Sequence, residues 1–183
     1  PEIAVATTKA YSAQLAVCYL VALYMAQCKD ALSPQALSDA IAALDALPEL
    51  AAHMLQGQEQ LKYLASLYFG CKDIFFIGRN VDWAIALEGS LKLKEISYIH
   101  SEAYAAGELK HGTISLVEPG TLVVALCTYG PLREKMVSNI REVKARGAIV
   151  LALAEEGQPQ VEEAADHVVW LPKADPLLAP SLA

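Results

Sequence analysis

A row of two carboxylates and one ammonium group, formed by Glu88, Lys92 and Glu95, interrupts an otherwise apolar helical pattern in the middle of the chain. At about 100° per residue the three side chains fall on one narrow stripe of the helix. Apolar residues border the stripe on both sides, among them Leu91 and Ile96. The opposite side has the composition of a solvent-facing surface, with Ser90, Lys94 and Ser97. Because only one polar side can face bulk water, we expect the charged stripe to face a cleft or an interface.

Two interpretations of this stripe stay open on the residues alone. A pair such as Glu88 and Lys92, four residues apart, is common on exposed helices and stabilises them by roughly 0.3–0.5 kcal/mol. A row that faces inward is instead kept for a function, because unpaired buried charge is costly. Glu95 and Lys92, one turn apart, have the residue types for moving a proton on a carbon next to a carbonyl. The carboxylate would carry the proton, and the ammonium would stabilise the oxygen that gains charge.

Composition bounds the fold class and the partners of the chain. It has 183 residues, 55% hydrophobic and 19% charged, which is typical of a compact α/β protein of one domain, or of one domain and part of another. The net charge of −7 and the lack of a Lys/Arg cluster argue against a nucleic-acid partner. The four cysteines and four histidines have no metal-ligand spacing, so we expect no metal and no cofactor. The cysteines are expected to be small core residues of a cytoplasmic protein.

Both ends of the chain are expected to be cuts through a larger protein. The sequence begins at Pro1 rather than methionine, and it ends in the largely apolar segment 175–183. The uncharged segment Ala10–Cys28 is close to the length that a membrane span needs. Polar residues are spread around it, so we expect a helix buried in a core or in a subunit interface, and no membrane partner.

Helical patterns alternate with short apolar strands along the chain. The strands predicted are 73–78, 121–127, 148–154 and 167–171. The helices predicted are 8–28, 34–47, 49–69, 83–99, 132–146 and a short one near 159–164. After the fourth helix a loop is expected up to Gly112. Continuous apolar strands between helices indicate a doubly wound parallel sheet covered on both faces.

The loops after Gly78 and Cys127 follow the carboxyl ends of two predicted strands, where such sheets bind their ligands. A phosphate there needs several N–H groups and hydroxyls that converge at a helix N-terminus. The first loop, 78–83, has one glycine and an acidic residue, and the second, 128–132, has a proline in place of one donor. We therefore expect the unit from about Leu55 onward not to hold a phosphate itself.

Three segments of the chain resemble the isomerase half of the glutamine:fructose-6-phosphate amidotransferase family: KLKEISY at 92–98, EAYAAGELKHG at 102–112 and PEIAVATTK at 1–9. The intervening helices and strands match in order and spacing, so the resemblance covers essentially the whole chain. It implies a sugar isomerase (SIS) fold, with residues 1–54 as the end of a first SIS subdomain and residues 55–183 as a second one, truncated at its C-terminus. The family's glutaminase domain, its serine-rich phosphate loop and its C-terminal Schiff-base lysine would then lie outside this chain.

The resemblance implies roles for five residues. Glu95 would move the proton between C1 and C2 of the sugar, and Lys92 would stabilise the developing negative charge. His111 would assist opening of the sugar ring, and in the family it reaches the site from the neighbouring subunit. Val5 and Thr7 match a stretch that lines the sugar pocket, although the family often has serine at the position of Thr7. The implied partners are fructose 6-phosphate, glucosamine 6-phosphate and a second copy of the chain.

Two other functions stay open. A non-catalytic SIS module that senses sugar phosphates would not need Glu95 and Lys92 on an inward stripe, and it would keep a hydroxyl-rich phosphate loop. A stand-alone sugar-phosphate isomerase or deglycase of the same fold would lack amidotransfer. A cysteine directly after the initiator methionine of the parent protein would mark the glutaminase and decide against the stand-alone enzyme. In all cases we expect the 183-residue chain alone to lack activity and to bind fructose 6-phosphate poorly.

Overall fold

A five-stranded parallel sheet forms the centre of the structure, a computed structural model that describes residues 8–183. The strands are Asp73–Gly78 (β1), His100–Ala105 (β2), Leu122–Cys127 (β3), Ile149–Glu155 (β4) and His167–Leu171 (β5). They lie in the order β2-β1-β3-β4-β5 across the sheet. The chain thus builds from β1 to β2 and then continues on the other side of β1, which puts a topological switch point between β1 and β3. The predicted doubly wound α/β sheet is confirmed.

Helices cover both faces of the sheet. They are Thr8–Cys28 (α1), Pro34–Leu55 (α2), Gln58–Tyr68 (α3), Val81–Ser97 (α4), Arg133–Lys144 (α5) and Pro159–Ala164 (α6). On one face, α5 and α6 pack in the largest core cluster, where Met136 and Ile140 join Val123 and Val150. On the other face lie α3, through Leu64, and α4. Helices α1 and α2 pack against each other.

Strand β2 lies where the sequence predicts a loop. It forms an edge of the sheet and pairs with β1 alone, and Ser101 is its one buried residue. A strand at the edge that buries so little needs no continuous apolar run, so the apolar pattern that reveals the central strands is missing here. Helix α4 ends just before it at Ser97, and the left-handed backbone of its C-terminal cap Tyr98, with φ of 61°, turns the chain into the strand.

The predicted helix break at Pro48 is wrong. Helix α2 continues through this proline to Leu55. A proline inside a helix removes one backbone hydrogen bond and ordinarily costs about 3 kcal/mol. Leu47 and Ala51, on either side of the proline, line a groove that α2 forms with α1. The helix-breaking propensity of a proline is thus overridden at this position. The predicted domain boundary between residues 54 and 55 falls at the end of α2 and stays a prediction.

Helix α1 is not buried in the part of the chain that the structure describes. Lys9–Cys28 is the one helix among residues 8–183 that is long and apolar enough to cross a membrane, by length and composition only. Its large exposed apolar side chains are Val17, Leu20, Val21, Tyr24 and Met25. Burial in a core of this chain is therefore the wrong expectation, and burial in a subunit interface stays a prediction. The cysteine expectation fails at the same helix, because Cys18 and Cys28 are exposed whereas Cys127 is buried.

Gly78 lets α4 lie directly against the end of β1. A Cβ atom here would come within 2.5 Å of the backbone carbonyl carbon of Asp82. We expect Gly78→Ala to lower the free energy of unfolding by about 3 kcal/mol in urea denaturation, because backbone rather than a flexible side chain must move. Gly70→Ala is the control, since nothing lies within 4 Å of its Cβ position. Similar free energies of unfolding for the two variants would contradict this close approach.

Candidate active site

Helix α4 presents its smallest side chains to the sheet. Ala86 and Ser90 are buried, and the Cβ position of Gly89 lies 3.2 Å from the ring of Phe76 on β1. The hydroxyls of Ser90 and Ser101 are 2.9 Å apart, and Ser101 also donates to the Ser90 carbonyl oxygen at 2.8 Å. The prediction that Ser90 faces solvent is therefore wrong. A small residue fits a close helix–sheet contact, and its hydroxyl finds a partner on the neighbouring strand.

The charged row lies on the side of α4 that points away from the sheet, about 200° around the helix from Ser90. Lys92 Nζ is 2.6 Å from Glu95 Oε2 and 3.5 Å from Glu88 Oε1. The side chains are partly covered, with 19% of Lys92, 23% of Glu88 and 32% of Glu95 exposed. The hydrogen bond to Glu95 raises the pKa of Lys92, and the charges of both carboxylates add to the shift. The structure thus brings Lys92 and Glu95 together as an ion pair.

The start of α1 is coupled electrostatically to this row. Burial raises the pKa of the Tyr11 hydroxyl, and the negative charge of Glu88 adds to the shift. The sequence analysis does not link Tyr11 to the charged row. The one signal for such a link is the position of Tyr11 shortly after the segment 1–9, which carries part of the family resemblance. Val5 and Thr7, the predicted pocket residues, lie outside the described residues.

An apolar stripe runs along α4 next to the charged row. Trp83, Leu87 and Leu91 follow one another at intervals of four residues, and each is between 41% and 47% exposed. Such side chains on the outside of a helix give the row an apolar border that is open in this chain. The chemistry available is that of a partly desolvated carboxylate and ammonium, which can exchange a proton with a ligand and stabilise negative charge on it.

His111 lies far from the pair within one chain. Its side chain is 76% exposed and has Glu108 at 3.9 Å, in the 3₁₀ segment Ala106–His111 that follows the carboxyl end of β2. Helix α4 runs back from the carboxyl edge of the sheet, so Glu95, near its end, lies at the amino edge where β2 begins. The six residues of β2 separate the two edges by about 20 Å. The structure therefore does not bring His111 to Lys92 and Glu95 of the same chain.

A carboxylate occupies the switch point between β1 and β3. Asp82, in the first turn of α4, is 2% exposed. The backbone N–H groups of Thr128 and Tyr129 donate to its Oδ2 at 3.0 and 3.1 Å, and the Thr128 hydroxyl donates to Oδ1. Burial raises the pKa of Asp82, and these hydrogen bonds oppose the rise. Hydrogen-bond donors of the loop after β3 therefore converge on one point, which the sequence analysis does not predict. The one signal that could have indicated this arrangement is Asp82, the acidic residue of the first loop.

The loop between β1 and α4 also carries a cation. Arg79, in the first loop, donates through Nε to Asn139 Oδ1 at 2.9 Å and is engaged with α5. Among residues 8–183, no group of three or more His, Cys, Asp or Glu side chains could hold a metal ion.

Comparison with known proteins finds relatives along the whole chain. The model of the SIS domain family matches residues 67–182. The chain is 52% identical over 182 residues to the glutamine–fructose-6-phosphate aminotransferase (isomerizing) of Caldanaerobacter subterraneus and 46% identical over 183 residues to that of Methanosarcina acetivorans. Both alignments cover 100% of this chain and 30% of the relative, so the chain spans about 30% of the length of these curated relatives.

A solved structure has the same fold over the whole chain. The C-terminal domain of glucosamine-fructose-6-phosphate aminotransferase from Francisella tularensis superposes with a TM-score of 0.92 at 33% identity. The superposition covers 100% of this chain and 51% of that one. The chain is thus similar in sequence and in structure to the same group of proteins.

The pairing within the charged row predicts how the pKa of Lys92 responds to substitution. We expect Glu95→Gln to lower this pKa toward its ordinary value, because Glu95 makes the shorter bond and the larger contribution. Glu88→Gln, which removes the carboxylate at 3.5 Å, should lower it less. Titration of the lysine side-chain NMR signals measures both values. An equal or larger effect of Glu88→Gln would contradict the geometry of the row.

Proposed function

The chain belongs to the SIS domain family, and on that premise we propose that it forms the isomerase part of a glutamine–fructose-6-phosphate aminotransferase. The parent enzyme would convert fructose 6-phosphate and glutamine to glucosamine 6-phosphate and glutamate. The observation that carries the proposal is the ion pair of α4, in which Lys92 Nζ lies 2.6 Å from Glu95 Oε2. Relatives that bear this enzyme's name and are 46–52% identical support it.

Glu95 is the group that moves the proton in this proposal. Conversion of a ketose to an aldose removes a proton from the carbon next to a carbonyl or imine and returns it to the adjacent carbon. One carboxylate on one face of the sugar can perform both transfers. Lys92, one turn earlier and protonated at rest, would pair with the oxygen that gains negative charge.

Glu88 would position Lys92 through the reaction. Once Glu95 holds the proton it is neutral, and its attraction for the ammonium falls. Glu88 then remains as the charged partner, 3.5 Å from Lys92 Nζ at rest. A second carboxylate on the preceding turn therefore keeps the ammonium near the sugar while the first one changes its charge.

A second copy of the chain is part of the proposal. His111 would assist ring opening, and it lies at the edge of the sheet opposite to Glu95. Its high exposure suits a residue that acts in the site of a neighbouring subunit. The exposed apolar side chains of α1 supply a surface suited to such an interface. We place the homodimer in the cytoplasm, with sugar phosphates as partners and no nucleic acid or membrane.

The first test removes the proton carrier. In the full-length protein we expect Glu95→Gln to lower the rate of glucosamine 6-phosphate formation by about 10²–10⁴ while glutamine hydrolysis stays measurable. Glu59→Gln is the matched control, since Glu59 pairs with Lys62 at 2.7 Å with the same three-residue spacing but on an exposed surface of α3. A Glu95→Gln enzyme that forms product at nearly the unaltered rate would remove Glu95 from the mechanism.

The second test asks whether the site is shared between copies. Glu95→Gln and His111→Ala are each expected to inactivate the full-length enzyme. In dimers that combine one copy of each variant, one site would have both residues intact. Random mixing by co-expression should therefore restore about a quarter of the original activity. If the mixture is no more active than the two variants measured separately, the partner's His111 does not complete the site.

A further inference from the structure

The crevice at the switch point holds a carboxylate of the chain's own. Doubly wound sheets bind the charged groups of their ligands beyond the carboxyl ends of the strands, at the place where the strand order reverses. Here that place lies between the ends of β1 and β3. The side chain of Asp82 lies there, hydrogen-bonded to the loop after β3, and is 2% exposed, and its partner Thr128 is 1% exposed.

The donors around Asp82 are those that a ligand anion would need. Two backbone N–H groups, of Thr128 and Tyr129, converge on one oxygen, and the Thr128 hydroxyl bonds the other. Neighbouring N–H groups and a hydroxyl at a strand end are the arrangement by which proteins hold phosphate oxygens. All three donors are used by one carboxylate.

A role confined to helix α4 does not account for these contacts. An acidic residue in the first turn of a helix ordinarily interacts with the N–H groups of that same turn. The hydrogen-bond partners of Asp82 instead lie 46 and 47 residues further along the chain, in the loop after β3. The close approach permitted by Gly78 brings the first turn of α4 to this position. Arg79, the cation in the loop between β1 and α4, donates to Asn139 Oδ1 at 2.9 Å.

We propose that Asp82 is an internal substitute for a ligand anion, which occupies the donors of the crevice and thereby keeps a phosphate group from binding there. Asp82 is then a specificity-determining residue, because with these donors occupied the sugar phosphate must be held outside this unit. The identity of the excluded ligand as a sugar phosphate rests on the proposed function.

The test replaces the internal anion with a free one. In the purified protein, Asp82→Ala should lower the melting temperature by roughly 5–10 °C, since two buried donors and one partly buried donor lose their acceptor. Sodium formate should then raise the melting temperature of the variant saturably, more than sodium chloride at equal ionic strength. Inorganic phosphate, titrated in the same way, should bind the variant and not the unaltered protein.

Ser90→Ala is the matched control for this experiment. Ser90 lies on the same helix and is as deeply buried, at 2% exposed, but its removal frees no converging N–H groups. We expect this variant and the unaltered protein to respond to formate and chloride alike. Asp82→Ser, whose shorter side chain also leaves room for formate, is a second variant with the same expectation as Asp82→Ala.

Three results would overturn the inference. The first is a lack of any saturable formate effect in both Asp82 variants, including a failure of formate to restore folding if they are unfolded in plain buffer. The second is an equal effect in Ser90→Ala. The third is a variant that responds to formate but not to phosphate, because Asp82 would then not be what excludes phosphate. The test involves no sugar chemistry, so its failure leaves the role of Glu95 untouched.

Discussion

The close contact of α4 with the end of β1 is the constraint on which the candidate site and the switch point both depend. Gly78 has no side chain, so the first turn of α4 lies against the backbone of the strand. Ser90 continues the contact along the sheet through its bond with Ser101. With the helix held in this way, its beginning reaches the carboxyl edge of the sheet and its end reaches the amino edge. One helix therefore carries two charged groups to two different edges.

The two charged groups differ in what they can do. Asp82 is buried and accepts three hydrogen bonds through its two oxygens. These bonds join the first turn of α4 to the loop after β3. The row of Lys92 with Glu88 and Glu95 is only partly covered, and Lys92 is shared between two carboxylates. When a ligand binds, Glu95 can take up or release a proton while Lys92 keeps a charged partner in Glu88. The proposed proton transfer needs this freedom.

His111 and the ion-paired row lie at opposite edges of the sheet, and this separation affects how one site could contain both. Because His111 follows β2 and the ion-paired row precedes it, a rigid strand stands between them in one chain. In the proposed function, a site that uses both must be assembled from two copies of the chain. The uncovered apolar surfaces of α1 and α4 lie on the outside of the chain, where such an assembly would bury them.

Local pattern alone predicts the helices other than the division between α2 and α3, the four apolar strands and the charged row, because hydrophobic periodicity and continuous apolar runs are properties of neighbouring residues. It also identifies Glu95 and Lys92 as one turn apart, since helical spacing determines that distance. Tertiary structure decided the rest. Strand β2 exists because β1 offers it hydrogen bonds at an edge, and α2 continues through Pro48 against the local propensity of proline to break a helix. Ser90 is buried because the sheet needs a small residue at that contact. Asp82 meets Thr128 only when the chain has folded, because groups 46 residues apart are brought together by the order of the strands and by no local rule.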